Sequence, residues 1–155
     1  MRIKPYNISE ADIILSWSKD ETDFYKWSAG VLGEYPIRKE KFDFVNNLMA
    51  FTAIEDDEPV GFFTMRRPSE SFEELRFGFI IVDPSKRSKG YGKRMLQLGE
   101  IYGAKKVSLS VFENNEPAYF CYKSVGFDDV ILDKTEIYYV LGEEWKCKEL
   151  MIENR

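Results

Sequence analysis

The segment Arg87-Ser88-Lys89-Gly90-Tyr91-Gly92 concentrates groups that could hold an anion. Gly90 and Gly92 leave the backbone bare where a phosphate would approach it. Arg87, Lys89, Lys93 and Arg94 place cations along this one stretch of a chain whose net charge is −5. If the stretch opens a helix, its amides lack partners inside the helix and the helix dipole favours negative charge there. A solvated basic turn, with glycines serving helix–strand packing, accounts for Gly-x-Gly equally well. Other phosphate loops fit worse. A dinucleotide fold would want a third glycine where Met95 stands, and a Walker loop would want Gly-Lys-Ser/Thr, which is absent.

The chain has no histidine. That removes Ser-His-Asp and Cys-His machinery, zinc sites with histidine ligands and any histidine base. Chemistry is left to carboxylates, tyrosine, cysteine, backbone amides and water. Cys121 and Cys147 have neither CxxC nor CxxH spacing, so no metal site and no disulfide framework are expected, and a reducing, cytoplasmic setting follows. Acids outnumber bases by 27 to 22, which argues against a nucleic-acid partner and suits a small or cationic one. The opening residues carry no apolar targeting core, and no run approaches the roughly 18 apolar residues of a membrane span.

These groups need elements to hold them. Ser9 to Asp12 reads as a capping box before a short helix that buries Ile13, Ile14 and Trp17. Residues 19–36 are irregular, rich in aromatics and in the acids Asp20, Glu21 and Asp23, and residues 38–46 read as a helix. Strands are expected over residues 48–55 and 60–66 around an Asp-Asp-Glu-Pro turn, and over 75–82, stopped by Asp83-Pro84. A helix over 90–102, an alternating strand over 106–112, a helix from Pro117 to about Val125 stopped by Gly126, and two closing strands follow. Strand–helix–strand–helix joined to an antiparallel front half predicts one domain over residues 1–155, an α/β fold with a mixed sheet of about six to seven strands.

Two motifs in this frame resemble the GNAT acetyltransferase superfamily. Val82-Asp83-Pro84 followed by Arg87-x-x-Gly90-x-Gly92 is similar to its motif A. The strand from Leu109, then Asn115, Ala118, Tyr122 and Gly126-Phe127, is similar to its motif B. The two stand in the family's order, and the resemblance spans about residues 60–152. The opening Arg2-Ile3-Lys4-Pro5 and the ending around Leu150-Met151 further resemble the ribosomal-protein acetyltransferases of the RimJ/RimL type.

The resemblance implies a site. Acetyl-CoA would lie where two central parallel strands, 75–82 and 106–112, splay apart. The backbone of Ile80, Ile81 and Val82 would pair with the pantetheine arm as an added strand. Amides from Ser88 to Lys93, after Arg87, would hold the pyrophosphate; Ser88 stands where glycine is frequent and fits if its φ is negative. Asn115 would face the cofactor arm, or else cap the following helix. Tyr122 matches the general acid that protonates the departing thiolate. The family's glutamate base falls on Arg76, so Glu74, two residues earlier, is the candidate, or no dedicated base exists. Cys121 is expected to be a buried packing residue. Residues 1–47 would supply acceptor-side helices and residues 48–155 the donor core. Asp20, Asp23, Phe24 and Trp27 offer carboxylates and ring faces to a cationic amine, or else plug the core and face water. The function so implied is transfer of acetyl to a primary amine, either a protein N-terminus or a small cationic amine. The alternative is a non-catalytic acyl-CoA sensor. Homodimers are common in the family.

Overall fold

The computed structural model describes residues 1–68, 73–99 and 104–153. Its strands are β1 (Arg2–Pro5), β2 (Met49–Glu55), β3 (Glu58–Arg66), β4 (Glu74–Val82), β5 (Lys106–Phe112), β6 (Asp128–Asp129), β7 (Glu136–Val140) and β8 (Glu143–Glu153). They form one sheet ordered β1-β2-β3-β4-β5-β8-β6, with β7 also on β8. Every pairing is antiparallel except β4 with β5. The mixed α/β sheet is the expected one, with eight strands among the described residues rather than six to seven. β1 and β6 are too short for a two-residue period to stand out. Because β1 joins β2, the first 47 residues supply an edge strand as well as helices.

Local chemistry explains most departures from expectation. The capping box lies two residues earlier than expected: Asn7 accepts from the Ser9 N–H at 2.9 Å, and Glu10 accepts from the Asn7 N–H at 2.9 Å. Helix α1 (Ala11–Ser16) then buries Ile14, with Trp17 just beyond its end, and leaves Ile13 exposed. The stretch expected to be irregular contains helix α2 (Glu21–Ser28). Asp20 caps it, accepting from the Asp23 N–H at 2.8 Å, and Glu21 and Asp23 sit in its first turn, where the helix dipole favours acids. Residues Lys39–Asn47 form 3₁₀ turns rather than an α-helix. Helix α3 (Tyr91–Gly99) buries Met95 and Leu96; the expected continuation to Tyr102 lies outside the described residues. Helix α4 (Glu116–Val125) carries Pro117 in its first turn and stops at Gly126, whose φ is 116°.

Among the described residues three apolar cores pack on the sheet, and two of them bear on the site. Phe63, Leu75, Phe77, Val107 and Leu109 pack with Met95 and Leu96 of α3 and Tyr122 of α4. Phe62 and Ile81 pack with Ile14, Phe24 and Phe42 on the side of α1 and α2.

The feature that positions the site is a bulge in β4. Phe62 pairs with Ile81 but Thr64 pairs with Gly78, so β4 carries an extra residue between them. Phe79 there has φ 49°. An extra residue reverses the alternation of a strand. Leu75 and Phe77 belong to the α3–α4 core, whereas beyond the bulge Ile80 and Val82 take that side and Phe79 and Ile81 take the other. The Trp27 indole Nε1–H donates to the Phe79 carbonyl at 2.8 Å, tying α2 to the bulge.

β4 and β5 are parallel partners only at Glu74–Lys106, Leu75–Val107 and Arg76–Ser108. β5 stays paired with β8 along its whole length, so β4 alone leaves it. Arg76 braces the closed end with a two-pronged contact to Glu149 and further bonds to Ser108 and Ser110.

Candidate active site

A cavity of about 730 Å³ lies against the bulged end of β4, beyond the stretch where β4 pairs with β5. Its walls come from the bulged end of β4, the loop into α3, the first turns of α3 and α4, and α2. The loop is built locally. Asp83 accepts from the Ser85 N–H at 2.9 Å and from its hydroxyl at 2.8 Å, turning the chain sharply off β4. Among the described residues, none accepts a hydrogen bond from the backbone N–H groups of Arg87 to Lys93; the next amide, of Arg94, donates to the Gly90 carbonyl at 3.0 Å. Unpaired amides at a helix start, with Lys86, Arg87 and Lys93 on the cavity wall, make an anion cradle.

Ser88 departs from expectation: its φ is 63°, not negative. It holds the left-handed conformation that glycine adopts freely, which costs an L-residue about 1–2 kcal/mol. Gly90, with φ 80°, occupies the same region. Gly92 answers a different need, since a Cβ there would meet Cys121 Sγ at 3.3 Å. It lets α3 approach α4 closely.

Across the cavity, Tyr122 is 7% exposed, with Phe127 edge-on at 6.4 Å between ring centres. Burial, and secondarily the Cys121 thiol, pushes its phenol above the ordinary value of 10, so it stays protonated at neutral pH. Cys121 lines the cavity and is only half-buried. Burial raises its thiol too, with Lys93 opposing. Asn115 occupies the N-cap position of α4, yet its side chain makes no capping bond and the residue lines the cavity.

Residues 13–127 match the model of the acetyltransferase (GNAT) family. The chain belongs to that family. It is an acetyl-CoA-dependent acyltransferase, and fold likeness to solved structures runs over its whole length. The spermidine N-acetyltransferase of Vibrio cholerae, solved with CoA and spermine, superposes with a TM-score of 0.78 at 14% identity, covering 98% of this chain and 94% of that one. The ribosomal-protein-alanine N-acetyltransferase of Brucella melitensis gives 0.70 at 14% identity, covering 99% and 100%. The protein smu.2055 of Streptococcus mutans UA159 gives 0.73 at 22% identity, covering 99% of each chain. At these identities the likeness shows the shared fold. No curated protein matches the sequence.

The GNAT site fits its acyl donor on this chain's own chemistry. The loop with its free amides and cations lines the cavity, suiting a pyrophosphate. Ile80, Ile81 and Val82, where β4 no longer pairs with β5, line it too, suiting an amide-bearing arm. Lys89 does not line the cavity. Among the described residues, no group of three or more carboxylates or cysteines is placed to hold a metal ion, and no helix is long and apolar enough to cross a membrane.

The acceptor-side expectations divide. Asp23 and Trp27 line the cavity. Asp20 spends its side chain as a helix cap, and Phe24 is buried against Tyr25, Trp27 and Tyr35. Glu74 lies at the closed end of β4, beside Lys106. It is about 20 Å along the strand from Ile80, and it does not line the cavity. Sequence reasoning put the acceptor side within residues 17–35 but did not single out Trp17, Ser18 or Lys26 there, nor Lys86 in the loop, as wall residues. Only Lys86 carried a signal, as one more cation beside Arg87.

Proposed function

We propose that this GNAT protein transfers acetyl directly to a primary amine while donor and acceptor are bound together. The observation that carries this reading is one cavity lined together by the loop before α3 with its free amides, the protonated Tyr122, and Asp23, Trp17 and Trp27.

Bound acetyl-CoA supplies an activated thioester at the splay between β4 and β5. Amides from Ser88 to Lys93 and the cations Arg87 and Lys93 hold its charged end, and Asn115 faces its arm. Tyr122 holds a proton on its phenol oxygen and delivers it to the sulfur that departs. General-acid help of this kind contributes about 10²–10⁴-fold. Cys121, its thiol kept protonated by burial, is a poor nucleophile, which favours direct transfer over an acetyl-cysteine step.

Glu74 is too distant to serve as the base. Asp23 is the one carboxylate on the cavity wall among the described residues, placed to attract an incoming ammonium. Proton removal then falls to water and backbone carbonyls. That arrangement suits an amine of lowered pKa: a terminal α-amine sits near 8, a lysine-like amine near 10. The acceptors that fit are a protein N-terminus or a small cationic amine.

The test is release of CoA thiol from acetyl-CoA with a panel of primary amines. Turnover that depends on an amine is expected. Tight acetyl-CoA binding with no turnover on any amine would instead establish a sensor.

A further inference from the structure

A second cavity of about 390 Å³ adjoins the first through Ser18, which lines both. Leu15, Phe24, Tyr35, Pro36 and Ile37 give it apolar walls, and its size lies within the usual range for small-ligand sites. Ser18 is only 6% exposed, and its Oγ has no hydrogen-bond partner among the described residues. A buried hydroxyl without a partner is destabilising, so one placed at a junction of cavities is suited to a ligand's oxygen. The neighbouring Ser16 does not compete, because its hydroxyl donates to the Ile13 carbonyl at 2.5 Å. Among the described residues Lys19 is the one charged residue of the second cavity, and no carboxylate lines it.

We infer that the second cavity holds the side chain of the acceptor, and that the acceptor is an α-amine flanked by a carbonyl oxygen and an apolar side chain. This rests on the direct-transfer reading above. The amine would lie toward Asp23 and Tyr122. The adjacent carbonyl oxygen accepts from Ser18, and the apolar side chain enters between Leu15 and Ile37. Lys19 attracts a carboxylate where the acceptor is a free amino acid. The same chemistry occurs at a peptide N-terminus. A polyamine is disfavoured, because its second ammonium would meet Lys19 and no acid.

The test compares leucine, phenylalanine, their amides, a Leu-Ala dipeptide and spermidine as acceptors. It follows thiol release, and binding of each amine without donor by tryptophan fluorescence. At least one α-amine is expected to exceed spermidine tenfold in kcat/KM. Ser18→Ala should weaken its binding about tenfold while calorimetry shows acetyl-CoA affinity unchanged. Lys19 is exposed, so Lys19→Glu tests the same site without burdening the core; it should narrow the advantage over spermidine at least fivefold. Higher use of the free acids than of the dipeptide assigns a metabolite-sized acceptor, and the reverse assigns a peptide N-terminus. Spermidine as the better substrate overturns the inference, as does indifference of every amine to both variants. Donor binding with no α-amine acetylated would overturn it while leaving the donor site intact. Failure to bind acetyl-CoA would remove both.

Discussion

Trp27→Phe is the sharpest perturbation of the site's foundation. The substitution keeps a ring among Phe24, Phe42 and Phe79, whose centres lie 6.2, 5.8 and 6.0 Å from that of Trp27. It deletes the Nε1–H that donates to the Phe79 carbonyl at 2.8 Å. Leaving that part-buried carbonyl unpaired costs about 1–3 kcal/mol. The bond also opposes the cost of the positive φ at Phe79, itself about 1–2 kcal/mol. A loss near 2 kcal/mol lowers the Tm of a chain this size by about 4–8 °C. The bulge sets which faces Ile80 and Val82 present, so loosening it should reach the donor. Acetyl-CoA Kd, measured by calorimetry, is expected to rise at least fivefold. A residue that merely touches the acceptor would alter acceptor KM and leave donor Kd alone. A Tm within 1 °C of wild type together with unchanged donor Kd would refute the role of the indole as a brace, leaving the bulge to β3 pairing.

Three further outcomes test the chemistry and the loop. Tyr122→Phe should retain acetyl-CoA affinity and lower kcat at least tenfold; unchanged turnover would remove Tyr122 from the mechanism. The folded-state pKa of Tyr122 is raised above an unfolded value near 10. Its stabilising contribution is therefore complete below pH 10 and lost as pH rises beyond it, so thermal unfolding across pH 9–11 should fall less steeply in Tyr122→Phe than in wild type. Cys121→Ala should keep turnover within threefold, and intact-mass measurement of wild type mixed with acetyl-CoA should find no stable adduct of about +42 Da, the mass of one acetyl group, because the thiol is held protonated. Ser88→Gly should leave Tm within about 2 °C, relief at φ 63° offsetting the added freedom of the unfolded chain. Ser88→Val, branched at a positive φ, should lose stability and weaken donor binding, and equal behaviour of the two variants would contradict a left-handed Ser88.

The donor half was legible because its determinants are local. Asp83, Ser85 and the glycines of one short loop shape the cradle through bonds between near neighbours, and Asn115 and Tyr122 lie seven residues apart on or beside one helix. The acceptor half depends on contacts distant in sequence, and there residue type misled. Asp20 and Asp23 look alike in a run of acids, yet one is a helix cap and the other faces the cavity. The helix that separates their roles is eight residues long, too short for its periodicity to stand out among so many aromatics. Glu74 failed for a related reason. It shares a strand with Ile80, but a strand carries residues apart at about 3.3 Å each, and membership of one element does not bring them together.

Ser18 marks the limit most clearly. Nothing in a lone serine after Trp17 signals a ligand. Its interest arises only when α1, α2 and the chain around Pro36 leave its hydroxyl buried between two cavities without a partner. The Arg76–Glu149 brace is equally non-local, joining residues 73 positions apart. It holds the strands together where they pair, so that the bulge can direct their separation. In the proposed site donor recognition thus rests on short-range backbone geometry, whereas acceptor choice rests on how the first 47 residues pack over β4. The two halves can therefore be altered independently: changes at Ser18 and Lys19 should redirect the acceptor without disturbing the loop proposed to hold acetyl-CoA.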